Sequence, residues 1–145
     1  MGPAKYVLIA TLLAVAACHS NDPAEGSDEV THELVGTRWV PVQLGDKAVT
    51  LGEGAREAYI VLNSNDAAVV GYAGCNRIST SYKQTGSKIS FGEVIATRMV
   101  CSDMSTETGL IQAMRVATDW RFVGQQLELL DKQKAVIARF EARNL

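Results

Sequence analysis

The sequence predicts an α+β protein with a single domain, in which a curved antiparallel β-sheet packs against one main α-helix. Short segments rich in β-branched and aromatic residues recur between clusters of turn residues, which is the pattern of successive antiparallel strands. One segment, residues 105–118, instead has apolar residues at helical spacing. A length of 145 residues suits one hydrophobic core.

The first predicted strand lies within residues 34–44, where Val40, Val42 and Leu44 alternate on one face. Pro41 has no amide hydrogen to donate to a neighbouring strand. We therefore expect this segment to be an edge strand or to contain a bulge.

Residues 45–57 are predicted to form a loop with a short strand at its centre. Further strands are predicted on either side of three polar turns, at residues 63–66, 85–87 and 131–134. The last of these turns is expected to divide the C-terminal segment into two strands.

The predicted helix begins at Ser105 or Thr106, either of which can cap its first turn. Glu107 suits the positive end of the helix dipole, and Gly109 weakens the first turns by about 1 kcal/mol relative to alanine. The apolar face consists of Leu110, Ile111, Met114 and Ala117.

The first 17 residues have the layout of a secretory signal peptide, with Lys5, an apolar run and small residues before Cys18. The run is shorter than the roughly 20 residues that cross a bilayer. The tetrapeptide at residues 15–18, Val-Ala-Ala-Cys, resembles a bacterial lipobox. This resemblance implies cleavage before Cys18 and attachment of acyl chains such as palmitate to it. The alternative is a plain signal peptide with an incidental cysteine.

Residues 18–33 are polar and acidic and are predicted to form a flexible tether that contains both histidines, His19 and His32. The predicted division is therefore a signal peptide at 1–17, a lipidated tether at 18–33 and a domain at 34–145. Because His19 and not aspartate follows the lipidated cysteine, we expect the outer membrane, with the domain facing the periplasm.

Composition excludes some partners. The net charge is −2 and the 14 Lys and Arg residues are scattered, so no nucleic acid is expected. No phosphate-binding glycine motif occurs. Neither a cofactor nor a metal is expected, and the partners are the membrane, through Cys18, and an unknown envelope protein or surface component.

Cys75 and Cys101 remain once Cys18 carries lipid, and an oxidising compartment favours a disulfide between them. The bridge would close a loop of about 27 residues, worth roughly 3–4 kcal/mol in the chain-entropy model. Three alternatives stay open at this point: a reactive thiol near Arg77 or Arg98, a metal site, and two free buried cysteines.

A set of motifs resembles the META domain, also called the HslJ-like family, in its bacterial lipoprotein form. The motifs are Trp39 in "GTRW", "GCNR" at residues 74–77, "TRMVC" at residues 97–101, and a helix led by Glu107. Val100 stands where the family commonly has alanine. The resemblance implies an envelope protein connected with heat shock, stress or antibiotic tolerance, with no established activity or cofactor.

The predicted domain contains no histidine, so no Ser-His-Asp or Cys-His arrangement can be built in it. Arg77 and Arg98 are the best exposed candidates for binding. Five aromatic residues are expected in the core and not on a ligand platform: Trp39, Tyr59, Tyr72, Phe91 and Trp120. Five carboxylates are expected to be solvated or to cap the helix: Glu53, Glu57, Glu93, Asp103 and Glu107.

The favoured hypothesis is a non-enzymatic, membrane-anchored envelope domain that binds another protein or a surface component and supports stress or antibiotic tolerance. One alternative is a periplasmic binder of small hydrophobic ligands on the concave side of the sheet. A third hypothesis is a thiol-redox protein that uses Cys75 and Cys101.

Overall fold

The computed structural model describes residues 32–51 and 56–144, together with Gly2. The predicted signal peptide, Cys18 and most of the predicted tether lie outside the described residues. Ten strands and one helix are present in the described part: β1 (Arg38–Leu44), β2 (Lys47–Ala48), β3 (Tyr59–Leu62), β4 (Ala68–Tyr72), β5 (Arg77–Thr85), β6 (Lys88–Phe91), β7 (Ile95–Ala96), α1 (Ser105–Val116), β8 (Asp119–Val123), β9 (Gln126–Leu130) and β10 (Val136–Arg143).

All strands belong to one antiparallel sheet, in the order β10-β9-β8-β6-β5-β4-β3-β1-β2. The short strand β7 pairs with β5, and β10 also pairs with β1. Pairing therefore runs in a closed circuit from β1 through β3, β4, β5, β6, β8, β9 and β10 back to β1. The predicted α+β class, with one antiparallel sheet and one packed helix, is confirmed.

The core lies on the inner side of this circuit. Its largest fully buried side chains include Trp39 and Phe140 from the sheet and Leu110 and Met114 from α1. The Trp39 indole N–H donates a 2.9 Å hydrogen bond to the Leu34 carbonyl, which satisfies a polar group that would otherwise be buried alone. All members of the core cluster lie between residues 34 and 140.

Strand β1 contains the predicted bulge but is not an edge strand, since it pairs with β10, β2 and β3. Its register against β10 shifts between Pro41 and Gln43. The extra residue reverses the alternation of side chains, so Trp39 and Leu44, five positions apart, both join the core. The prediction that Val40, Val42 and Leu44 lie on one face is therefore wrong, because the bulge lies between Val40 and Leu44.

The helix packs closely on β1 because Gly109 has no side chain. A Cβ atom at this position would lie 3.2 Å from two carbon atoms of Leu44. The glycine that weakens the isolated helix thus permits its approach to the sheet. The predicted cap is wrong: the N-cap residue is Met104 and makes no side-chain cap hydrogen bond. Instead, a carboxylate oxygen of Asp103 accepts the Ser105 amide at 2.8 Å.

The turns at residues 63–66 and 85–87 lie between strands as predicted. Residues 45–57 contain the short strand β2, but it lies near the start of this segment and not at its centre. Two elements were not predicted. The C-terminal segment has an additional turn at Gly124, whose φ of +58° suits glycine, and β7 pairs beside β5. No helix in the described part of the chain is long and apolar enough to span a membrane.

Candidate functional site

Two segments that are distant in the sequence, residues 74–77 and 97–101, are joined almost residue by residue; we call them the clasp. Cys75 and Cys101 form a disulfide with their Cα atoms 6.0 Å apart. The Arg77 amide donates to the Thr97 hydroxyl at 3.1 Å, and the Thr97 amide donates to the Arg77 carbonyl at 3.0 Å. The motifs that suggested the family in the sequence are thus direct partners in the fold.

Asn76 is the centre of the clasp and is only 2% exposed. Its side-chain oxygen accepts from the Thr97 hydroxyl at 2.8 Å and from the Met99 amide at 2.7 Å. Its side-chain nitrogen donates to the Met99 carbonyl at 3.1 Å and to the Glu107 carboxylate at 3.2 Å. Every donor and acceptor of the Asn76 amide is therefore used within the clasp and the start of α1.

Glu107 is buried in the first turn of α1 and holds the clasp against the helix. Its carboxylate also accepts the Asn76 backbone amide at 2.8 Å. The positive end of the helix dipole favours the negative charge there. The position of Glu107 in the first turn is readable from the sequence, but its partnership with a residue 31 positions earlier is not.

The turn that carries the clasp requires glycine. Gly74 has a φ of +99°, a region that other residues rarely adopt. The Ala73 amide donates to the Asn76 carbonyl at 2.8 Å and closes this turn. This turn places Cys75 opposite the 97–101 segment, where it bonds to Cys101.

Two adjoining cavities lie on the outer side of the sheet beside the clasp, and together we call them the outer groove. Their volumes are about 790 Å³ and 740 Å³. One cavity extends over β1, β3, β4, β5 and β7, and the other lies between residues 49–51, the disulfide and the start of α1. The lining shared by both consists of Arg56, Tyr72, Arg77 and Thr97.

Arginine side chains lie over two tyrosine rings in the groove. The Arg38 guanidinium lies 4.2 Å from the centre of the Tyr59 ring, and that of Arg56 lies 5.9 Å from the centre of the Tyr72 ring. Such stacking holds a cation over an aromatic face. Tyr59 and Tyr72 are directly opposite each other on β3 and β4. The prediction that these two tyrosines belong to the core is wrong, because they point to the outer side.

Of the two arginines predicted as binding candidates, Arg77 lines both cavities. Among the described residues, no acidic group lies within ion-pair distance of its side chain. Arg98 is exposed in the clasp but lines neither cavity. Arg38 differs from both, since it pairs with Glu57 at 3.5 Å.

Exposed apolar side chains surround the outer groove. Leu51, Val70, Ile95 and Met99 line it and are 62%, 42%, 70% and 63% exposed. Val100, next to Met99, is 98% exposed. These five are most of the large apolar residues exposed in the described part of the chain, and such a concentration marks an interaction surface.

Two acidic side chains elsewhere on the sheet are fully engaged by cations. Burial raises the pKa of the Glu128 carboxyl, but hydrogen bonds from Arg139 and Arg121 outweigh this and lower the pKa overall. Asp119 accepts from Lys134, Lys88 and Thr118, and these hydrogen bonds hold its pKa well below the ordinary value. Both carboxylates remain ionised at neutral pH, and neither belongs to the outer groove.

Other candidate chemistry is sparse in the described ranges. Among those residues, no group of three or more His, Cys, Asp or Glu side chains is placed to hold a metal ion. His32 was predicted to lie in a flexible tether, but its ring packs edge-on against Trp39 with the ring centres 6.1 Å apart. Contacts with the domain thus begin before the predicted boundary at residue 34.

Comparison with known proteins supports the motif resemblance. The family model described as META domain matches residues 32–144. A protein from Burkholderia xenovorans with a structure solved by NMR is 25% identical, with a TM-score of 0.59, over 77% of this chain and 85% of that one. A second NMR structure, 18% identical with a TM-score of 0.56, covers 72% of this chain and 87% of that one and shares the fold. No curated protein matches the sequence.

Proposed function

Because the chain belongs to the META domain family, we propose that it is a membrane-anchored binding module of the bacterial cell envelope and not an enzyme. The META domain is not a known enzyme family. The observation that carries the proposal is the outer groove, where Arg77, which has no acidic partner among the described residues, lies together with exposed apolar side chains. A clasp whose polar groups satisfy one another supports a structural role for the family motifs.

The anchor in this proposal is Cys18, with acyl chains on its sulfur and on the new N-terminus after cleavage. Several chains would hold the protein firmly, whereas a single chain binds a membrane marginally. The location is the outer membrane, with the domain facing the periplasm. An intact mass of the protein extracted from membranes tests this, because it must begin at Cys18 and exceed the polypeptide mass by the acyl chains. A mature chain without acyl chains would refute the anchor.

Binding through the outer groove can be tested by site-specific photocrosslinking in cells. Ser79 is small and exposed and faces outward between Val70 and Ile95 in the strand register. A crosslinking amino acid there should give a discrete product in the envelope. Lys132 is exposed in a turn between β9 and β10 and provides the control position. Equal products from both positions, or none from Ser79, would contradict binding at the groove.

The biological role in this proposal is support of the envelope under heat or antibiotic stress. Deletion of the protein should lower survival under at least one of these conditions. The wild-type chain should restore survival, whereas Arg77→Glu, which reverses a groove charge, should not. If Arg77→Glu restores survival at a normal protein level, the groove is not required for this role.

A second candidate is the binding of a small hydrophobic ligand. The two cavities have volumes in the range of small-molecule sites. The inner side of the sheet is filled by the core cluster, so such a ligand would occupy the outer groove and not the concave side. Binding of a fluorescent apolar probe to the wild-type chain, and a loss of that binding in Tyr72→Ala, would favour this candidate.

A further inference from the structure

We propose that the outer groove docks on a membrane surface that contains anionic phospholipid, together with the exposed apolar side chains around it, which we call the apolar rim (Leu51, Val70, Ile95, Met99 and Val100). The lipid phosphates would bind the groove arginines, and the rim side chains would enter the boundary between headgroups and acyl chains. This inference rests on the proposed function and names the partner of the same site.

The apolar rim is held rigidly, and this favours a docking role. Met99 and Val100 belong to a segment that the Cys75–Cys101 disulfide and the hydrogen bonds of Asn76 fix on both sides. Their exposed fractions are nevertheless 63% and 98%. Because the backbone of this segment is already held in place, a partner that covers these side chains has little backbone conformational entropy left to restrict.

The charges near the rim suit phosphate. Arg98 directly precedes Met99 and Val100, and Arg77 and Arg56 line one cavity with Met99. Asp103 also lines that cavity, whereas Glu57 in the other cavity is paired with Arg38. Arginine binds phosphate through a planar fork of N–H donors. An anionic bilayer offers apolar and phosphate groups within one thin layer, which matches a surface where exposed apolar side chains and arginines lie side by side.

The position of the predicted anchor brings the groove to the membrane. About 14 residues separate Cys18 from His32, and a flexible chain of that length has a root-mean-square span of about 20 Å. The chain enters the described domain shortly before Arg38, which lines the groove. An anchor at Cys18 followed by a flexible tether would hold the domain within roughly its own diameter of the bilayer, with the groove near the point where the chain enters the domain.

Vesicle binding tests this inference with the chain from residue 19 onward, which lacks the acyl chains but keeps every member of the core cluster. Sedimentation with vesicles of phosphatidylglycerol and phosphatidylethanolamine should show at least tenfold stronger binding than with phosphatidylcholine. Raising the salt from about 0.05 M to about 0.5 M should weaken this binding, because salt screens exposed charges.

Matched variants locate the surface. Val100→Asp and Arg77→Glu should each reduce vesicle binding at least tenfold with unchanged thermal unfolding. Val123→Asp and Lys132→Glu, which place the same changes at exposed positions outside the groove, should leave it unchanged. Equal losses in the control variants would overturn the assignment of this surface.

The remaining outcomes separate the inference from the proposed function. Binding of free glycerol phosphate with the same Arg77 dependence, without binding to vesicles, would show a phosphate site and overturn docking on a surface. An absence of vesicle binding, combined with a protein crosslink at Ser79, would overturn the lipid inference and leave the envelope binding module intact.

Discussion

Replacing Asn76 with alanine should strongly destabilise the domain. The amide side chain is buried and makes four hydrogen bonds, to Thr97, Glu107 and both backbone groups of Met99. The variant removes all four at once. It also leaves part of the buried Glu107 carboxylate without one of its donors.

The expected loss in free energy of unfolding depends on which former partners of Asn76 can bind water in the variant. The hydrogen bonds to Met99 and Thr97 are only partly buried, so these groups can regain solvent, and the loss of each bond costs about 0.5 kcal/mol. Glu107 remains buried, and the loss of a donor to a buried charged group costs about 1.5–3 kcal/mol. The small cavity adds to this, and we expect the free energy of unfolding to fall by about 3 kcal/mol. This is a large part of the 5–15 kcal/mol typical of a domain.

Urea denaturation followed by circular dichroism measures the change. Asn65→Ala, at an exposed turn position, is the matched control and should stay within about 0.5 kcal/mol of the wild type. Asn76→Asp adds a second test, because it keeps the shape but places a carboxylate beside Glu107. It should be destabilised at neutral pH and should recover partly as the pH falls through the carboxyl range. A loss below about 1 kcal/mol for Asn76→Ala would refute the central role of this residue.

Three further predictions concern other parts of the fold. Cys75→Ser should lower the free energy of unfolding by about 2–4 kcal/mol, measured in urea; unchanged stability with lost function would instead favour thiol chemistry at Cys75 and Cys101. Asp119→Asn should be less stable than the wild type at pH 7, and because its native pKa is lowered, this difference should shrink as the pH falls below about 4. The exposed Asp46→Asn is its control, and a difference independent of pH would contradict the ion pairing. Gly71→Ala should lower the free energy of unfolding by about 1–3 kcal/mol, because its Cβ would collide with a backbone carbonyl of β3. A thermal unfolding temperature equal to that of the wild type would contradict that close approach.

Local patterns accounted for the class of the fold and for most of its elements. Alternation and turn residues located the strands around residues 63–66 and 85–87, because those turns are encoded by adjacent residues. The bulge at Pro41 was also predictable, since proline lacks the amide hydrogen that a regular ladder needs. The pairing of β1 with β10 and the resulting closed circuit were not, because they join strands nearly a hundred positions apart.

The candidate site shows the same division. Cys75 and Cys101 could be paired from their number and the predicted compartment, and Arg77 could be singled out as an exposed cation. Nothing local distinguished Tyr59 and Tyr72 from core aromatics, because an outward-facing tyrosine in a strand has the same sequence pattern as an inward-facing one. The outer groove depends on which face of each strand points outward, and this is settled only when the strands are paired.

The sequence by itself determined the family, the α+β class, the helix and the residues of the clasp, because each depends on residue types at fixed short spacings. Only the tertiary structure decided that Asn76 and Glu107 are buried partners, that Gly109 admits the helix to β1, and that arginine, tyrosine and apolar side chains from five strands form one groove. These features are contacts between residues distant in the chain. Their geometry is set by strand register and by the packing of the helix on the sheet, which no short stretch of sequence contains.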